Sequence, residues 1–367
     1  MCSPLPKDYK DFGFLSNLFH AKLSNYSCTV REIAVNLPTL IVNKQLDSVV
    51  ESLPLPSKEI LENLTKEDHQ VLYSSLCMIQ SAWINPSVVF TSGYVEQVRT
   101  KVPRQIAVPL DFVSSRLGIR PLLTHAAVDL YNWKLKDESQ PFSLDNLTTI
   151  ASITGDPSES WFYLVMVAIE MEGKEIISEA INIANATKVE EVKVSLEIII
   201  KKIPILTKIL NRMKSNCDRN FFYFTLRKYL DGWTDEKKFP NGMHLEGVGE
   251  GIRHAGGSAA QSSLIPVLDI LFGVKKFDFL IENRNYMPKD HRDLLSWLES
   301  KEIGRWRADL ETLFCLGAEE LAKFRMRHIG LVHYYIVSFS KESKGTGGSS
   351  PAVLLKEIHE ETKKVAQ

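Results

Sequence analysis

A histidine in the middle of an apolar helical face is the first residue with chemical potential. Leu321, Phe324, His328, Leu331 and Tyr335 follow one another at steps of three and four, the spacing that stacks side chains on one face of a helix. One reading is a core histidine hydrogen-bonded to backbone. The other is an axial ligand for a haem iron. Arg325, one turn earlier, and Arg327 beside the histidine supply guanidinium groups that could pair with haem propionates. No HExxH, CxxCH or two-histidine, one-carboxylate spacing competes for a metal.

Arg227 is the second such residue. It shares a helical face with Tyr223 and Leu230, and Phe221, Phe222 and Phe224 crowd the same turns. A guanidinium there either snorkels or serves a structural ion pair, or it holds a substrate carboxylate bidentately beside an aromatic pocket. A third feature is HAGGSAAQSS (254–263), which has no large apolar side chain although the chain is 44% hydrophobic. Small residues permit close backbone approach, which one face of a flat macrocycle carrying a small ligand requires. The run lacks a P-loop lysine, and GTGG (345–348) lacks the GxGxxG spacing, so nucleotide binding is not expected. Ser258 is not in a GxSxG elbow. His20, His69, His291 and His359 have charged or amphipathic neighbours and are expected at the surface.

The elements that must position these groups are mainly helical. A length of 367 residues suits about two domains at ~150 residues each. The choppy, proline-broken part runs to residue 152, and ITGDPSES (153–160) is the expected joint. In it Asp156 can cap a helix, with Pro157 at the first position and Glu159 reaching back. Beyond it, Val192, Leu196, Ile199, Ile203, Leu206, Leu210 and Met213 mark one buried face, which Pro204 should kink or split. Asp218 can cap FFYFTLRKYL, with Gly232 ending it. A further helix is expected from near Ser258, and a long one from about 306 to 339. The expected architecture is a small mixed or helical domain, 1–152, and a large all-α domain, 153–367.

Forty-four basic against 45 acidic residues leave a net charge of −1, which gives no reason to expect nucleic acid or an anionic membrane as partner. WFYLVMVAI (161–169) is the longest apolar stretch, about half of a membrane span. The start of the sequence has no secretory signal pattern. Five scattered cysteines without CxxC read as reduced thiols of a cytoplasmic protein.

Several blocks resemble the indoleamine 2,3-dioxygenase family, in order and with plausible spacing. They are LEGVGEGIRHAGGSAAQSSLIPVLDILFG (245–273), ENRNYMPKDHRDLL (282–295), FRMRHIGLVHYYIV (324–337) and GTGG (345–348), extended by FFYFTLRKYLDGW (221–233) and by 103–137. The similarity covers most of the chain from about residue 90. It implies one haem b between the helices of a large α-helical domain, with the small domain covering the distal side. The resemblance makes His328 the proximal iron ligand, Arg325 the propionate partner and Asp269 its acidic companion. It puts Arg227 on the carboxylate of tryptophan and Phe162 and Phe222 against the indole ring. Gly257, Ser258 and Ala259 would pass over the distal face, and Thr346 and Gly347 would belong to a mobile loop closing on the amino-acid end.

Two positions depart from the vertebrate pattern: Met166 stands where a distal serine is usual, and His125 where a tyrosine is common. Met166 fills volume above the iron; His125 adds a hydrogen-bond donor near the pocket. The resemblance implies a dioxygenase that uses O2 to open the indole ring of L-tryptophan, or a related indoleamine, giving N-formylkynurenine. It also implies dependence on an unidentified reductant, and a monomer. Certain molluscan myoglobins belong to the same family, so a reversible oxygen carrier is the rival reading, with another indole substrate as a third.

Overall fold

The computed structural model describes residues 9–86, 98–339 and 351–367. VVFTSGYV (88–95) and the GTGG loop, with Thr346 and Gly347, lie outside them. The fold is mainly α. Helix α1 (Asn25–Val35) is capped by Ser24 and α2 (Lys66–Ile84) by a reciprocal Thr65–Asp68 box; Asp68 also accepts from the Ser24 amide at 2.9 Å, tying the two helix starts together. From Val71 to Ala82 the side chains of α2 are buried on every side, as expected of a helix in the middle of a core. It packs against α1 and against α3 (Arg104–Leu117).

Strands are few. Lys101–Val102 (β1) pairs in parallel with Met243–Leu245 (β4), which pairs antiparallel with Gly249–Ile252 (β5). Trp133–Leu135 (β2) and Leu147–Thr149 (β3) form an antiparallel pair. After β3 come α4 (Pro157–Asn185) and α5 (Val189–Asn211), packed on each other. Helix α6 is Leu264–Phe272, α7 is Lys289–Glu299, α8 is Glu311–Val332 and α9 is Pro351–Val365. Helix α8 lies on α5 and α9. One connected apolar core runs from Tyr9 to Tyr335.

Asp156 caps α4 by accepting from Ser158, with Pro157 at the first position. Glu159 does not close a box on Asp156. Its buried carboxylate accepts from the Ile153 and Thr154 amides at 2.8 Å each, gathering the preceding turn. The stripe on α5 is buried as its spacing predicts, but the helix continues through Pro204. Burial of residues on both sides of the proline outweighs its missing hydrogen bond and ring clash, together about 3 kcal/mol. The helix expected near Ser258 starts at Leu264, after a short 3-10 turn, Ala259–Gln261, that Ser258 caps. The long C-terminal helix starts at Glu311 and ends in a π-turn, His333–Val337.

Two histidines expected at the surface are buried, His291 and His359, while His69 is half-buried. His291 shares its face of α7 with Leu294, Leu295 and Leu298, stacks on Phe14 at 4.3 Å and bonds Ser263. Its charged sequence neighbours occupy the other face of the helix.

Gly232 stands just past the Asp231 cap of the preceding helix, where a helix-ending glycine is expected, but it does not take the left-handed conformation of such a cap. Its role is close approach. Trp233 N donates to His254 O and Gly257 N to Leu230 O, so two backbones run in contact. A Cβ on Gly256 would lie 2.2 Å from Leu230 O, and one on Gly232 would lie 2.3 Å from His254 O and Gly256 N. Gly256→Ala is therefore expected to destabilise by about 1–3 kcal/mol, read as a lowered urea midpoint. Gly304→Ala, where a Cβ meets nothing within 4 Å, is the control that should leave the midpoint near wild type.

Candidate active site

A cavity opens between α4, α6, α8 and the segments 124–130, 222–230 and 257–262. Its volume is about 270 Å³, near the lower end of the roughly 300–1000 Å³ of small-molecule sites. His125, Phe162, Met166, Phe222, Arg227, Gly257, Ser258, Ala259, Asp269, Arg325 and His328 all line it. Arg327, the second guanidinium expected beside the histidine, does not, being exposed on the other side of its helix turn near Asn211 and Lys214.

Three single-turn π segments border it, Ala126–Leu130, Phe222–Leu226 and His333–Val337. Such turns insert an extra residue into a helix and often occur at functional sites. The first carries Asp129 and the last Tyr335. The second carries Phe222 and leads into Arg227 at the start of the turn Arg227–Leu230. Phe222 lies 5.0 Å from Phe162 and 5.2 Å from Tyr335, ring to ring. Tyr335 is fixed in turn by its hydroxyl, which donates to Cys217 O. The Arg227 guanidinium lies 5.1 Å over the Tyr223 ring, a cation–π contact that leaves it half-buried at the cavity wall.

His328 projects from α8 into the cavity. The bland reading required a backbone hydrogen bond to its ring; none is present among the described residues. Burial, with the Arg325 charge one turn away, pulls its imidazole down to about 4. Near neutral pH it is an uncharged ring with a nitrogen lone pair available to a metal. Arg325 is held by the Asp269 carboxylate and by the Thr362 hydroxyl. Among the described residues, no three His, Cys, Asp or Glu side chains gather into a metal cage. The donor set, one neutral imidazole with a fixed arginine a turn away in an apolar cavity, fits a macrocycle that brings its own equatorial ligands.

His125 departs from its expectation. It lines the cavity, yet both ring nitrogens are already engaged: Nδ1 at 2.6 Å from Asp129 Oδ2 and Nε2 at 3.1 Å from Glu170 Oε1. It has no donor left for a ligand. Burial pulls the imidazole pKa down, but the two carboxylates outweigh it and raise the pKa to about 10. Asp129 is pushed up to about 6 by burial, against the pull of His125. Ser262 Oγ donates to Glu170 at 2.6 Å, His125 N donates to Gln261 Oε1, and Gln261 Nε2 donates to Gly256 O. Asp129 and Glu170 were not singled out from the sequence. The available signal was a lone acid inside each of two apolar runs, AAVDLY and LVMVAIEM.

His125→Gln strips the positive charge from two buried carboxyl groups and is expected to destabilise by about 3–5 kcal/mol. The raised pKa means that the contribution of His125 is complete below the unfolded value, about 6.5, and is lost as pH climbs through about 10. Urea midpoints between pH 6.5 and 10 should fall more steeply in wild type than in His125→Gln. Equal slopes would remove the charged imidazole from the account.

The indoleamine 2,3-dioxygenase family model matches residues 8–365. The chain is 32% identical to mouse indoleamine 2,3-dioxygenase 1, covering 90% of this chain and 88% of the relative. It is 33% identical to indoleamine 2,3-dioxygenase of Saccharomyces cerevisiae, over 88% and 77%. It is also 29% identical to a protein named myoglobin from Haliotis madaka, over 98% and 97%. No described helix is long and apolar enough to cross a membrane. With a match over nearly its whole length and the expected residues gathered at one cavity, the chain belongs to the indoleamine 2,3-dioxygenase family.

Proposed function

We propose that this chain binds haem b and uses it, with O2, to open the indole ring of L-tryptophan or a related indoleamine, giving N-formylkynurenine. The observation that carries the reading is a neutral His328 and an arginine, Arg227, in one apolar cavity. His328 would hold the haem through its iron. Arg325, whose guanidinium keeps N–H donors beyond those given to Asp269 and Thr362, would meet a propionate. When bound, the haem supplies the iron that takes up O2, and both oxygen atoms end in the product.

The protein's own part is positioning. Arg227 would hold the carboxylate of the amino acid through a charge-assisted pair, with Tyr223 beneath it. Phe162, Phe222 and Met166 would flank the ring and exclude water. Gly257 and Ala259 keep the wall between them low, while the Ser258 hydroxyl is occupied in capping, accepting from Ala260 N at 3.2 Å. Thr346 and Gly347 would close over the amino-acid end. In this reading residues 1–152 cover the distal side of a haem held by 153–367. An unidentified reductant would be required, and Cys28, Cys77, Cys217 and Cys315, all free thiols, suit a reducing cytoplasm.

The full-length similarity to a protein named myoglobin supports a second reading, a reversible oxygen carrier. Arg227 favours the enzyme, since a carrier has no use for a carboxylate clamp. Reduced, haem-loaded protein incubated with L-tryptophan under labelled O2 should yield N-formylkynurenine carrying two labelled oxygens. A persistent oxygenated spectrum with no product would select the carrier. His328→Ala is expected to lose the haem spectrum, and a normal spectrum would overturn the axial assignment. Arg227→Leu removes a charged hydrogen-bond partner worth about 1.5–3 kcal/mol, so KM should rise about ten- to a hundredfold. An unchanged KM would place Arg227 outside the substrate site.

A further inference from the structure

One polar side chain in the cavity wall has no part in the proposed reaction. Asp129 is 3% exposed and lines the cavity together with Phe162 and Met166. Its Oδ2 is taken by His125 at 2.6 Å, while its Oδ1 is buried with no hydrogen-bond partner. A buried carboxylate oxygen is seldom left so, because the desolvation is then uncompensated. His125 cannot relieve it: its other ring nitrogen goes to Glu170, whose Oε2 is also without a partner. One imidazolium against two carboxyl groups leaves an excess of negative charge when all three are ionised.

We infer that Asp129 is a specificity-determining residue, whose unpartnered carboxylate oxygen accepts a hydrogen bond from a donor on the ring system of the bound substrate. The inference rests on reading the cavity as an indole site. A ring hydroxyl and the indole N–H are the two possible sources of such a donor. The ring end is the relevant one because the π-turn that carries Asp129 packs on α4, the helix of Phe162 and Met166. Arg227, on a separate segment, takes the amino-acid end. Oδ1 is itself buried, so the carboxylate turns about its soft terminal torsion to meet the donor. A hydrocarbon edge against this wall leaves Oδ1 unsatisfied, whereas a donor edge satisfies it. Sites built to bond a polar group discriminate more strongly than apolar ones for this reason.

The test is equilibrium binding by calorimetry, without O2, on the full-length protein as purified. The ligands are L-tryptophan, 5-hydroxy-L-tryptophan, 6-hydroxy-L-tryptophan and 1-methyl-L-tryptophan. The expected result is that wild type binds one hydroxylated ligand about tenfold or more tightly than tryptophan, or loses about tenfold on N-methylation. The first assigns the donor to a ring hydroxyl and the second to the indole N–H. Asp129→Val, which leaves His125 facing the single carboxylate of Glu170, should erase the difference; Asp129→Asn, which keeps an oxygen acceptor, should retain part of it. Equal affinities across the ligands in wild type, a comparison that needs no variant, would overturn the inference, as would a difference that survives in Asp129→Val. Failure of any indole to bind would overturn the indole site and this inference with it. A ligand preference without product would instead count against the dioxygenase alone and leave the inference standing.

Discussion

The clamp of His125 between Asp129 and Glu170 fixes how the cavity walls meet. The ring joins a π-turn to α4, and two further bonds carry the linkage into the small-residue loop: Ser262 to Glu170, and the His125 amide to Gln261. Gln261 then holds Gly256 O, next to the backbone contact with Leu230 and Gly232. A buried ion network of this kind adds little net stability over an apolar packing of equal volume. Its bonds are directional, however, and apolar packing is not. The loop that must stay thin is therefore held at one height above the cavity by a chain of hydrogen bonds, without any bulky side chain entering the space.

Features that depend on local spacing were legible in the sequence. The buried stripe of α5, the Asp156 and Asp218 caps and the shared face of Arg227 with Tyr223 all follow from helical periodicity. So does the placement of His328 among apolar residues. The family motifs bring together the residues that line the cavity. The three π-turns were not legible, because one inserted residue leaves composition and capping signals unchanged and shifts the phase only locally. Burial of His291 and His359 was missed because the charges beside them in sequence lie on the opposite helix faces. Both ring nitrogens of His125 are engaged by acids 4 and 45 residues away, and only the nearer of them is visible as a helical pair. The small-residue run announced a close approach but not its partner. Part of that run serves backbone contact with 230–233, and only Gly257 onward faces the cavity.

The two histidines of the cavity end in opposite charge states for reasons that can be separated. His125 is buried and His328 half-buried at the cavity wall, and burial disfavours the imidazolium. At His125 two carboxylates within hydrogen-bond reach reverse that effect. At His328 the nearest charge is Arg325, which adds to it. An arginine one turn from a ring can swing away, or draw in a carboxylate of its own beside that ring, unless it is held. Asp269 and Thr362 hold the guanidinium, and among the described residues no hydrogen bond to the imidazole is present. Lysine in place of Arg325 would not serve, since a single ammonium on a flexible stem lacks the planar fork that meets both partners at once. The ion pair at Arg325 thus keeps a positive charge beside an imidazole that burial already holds uncharged at the cavity.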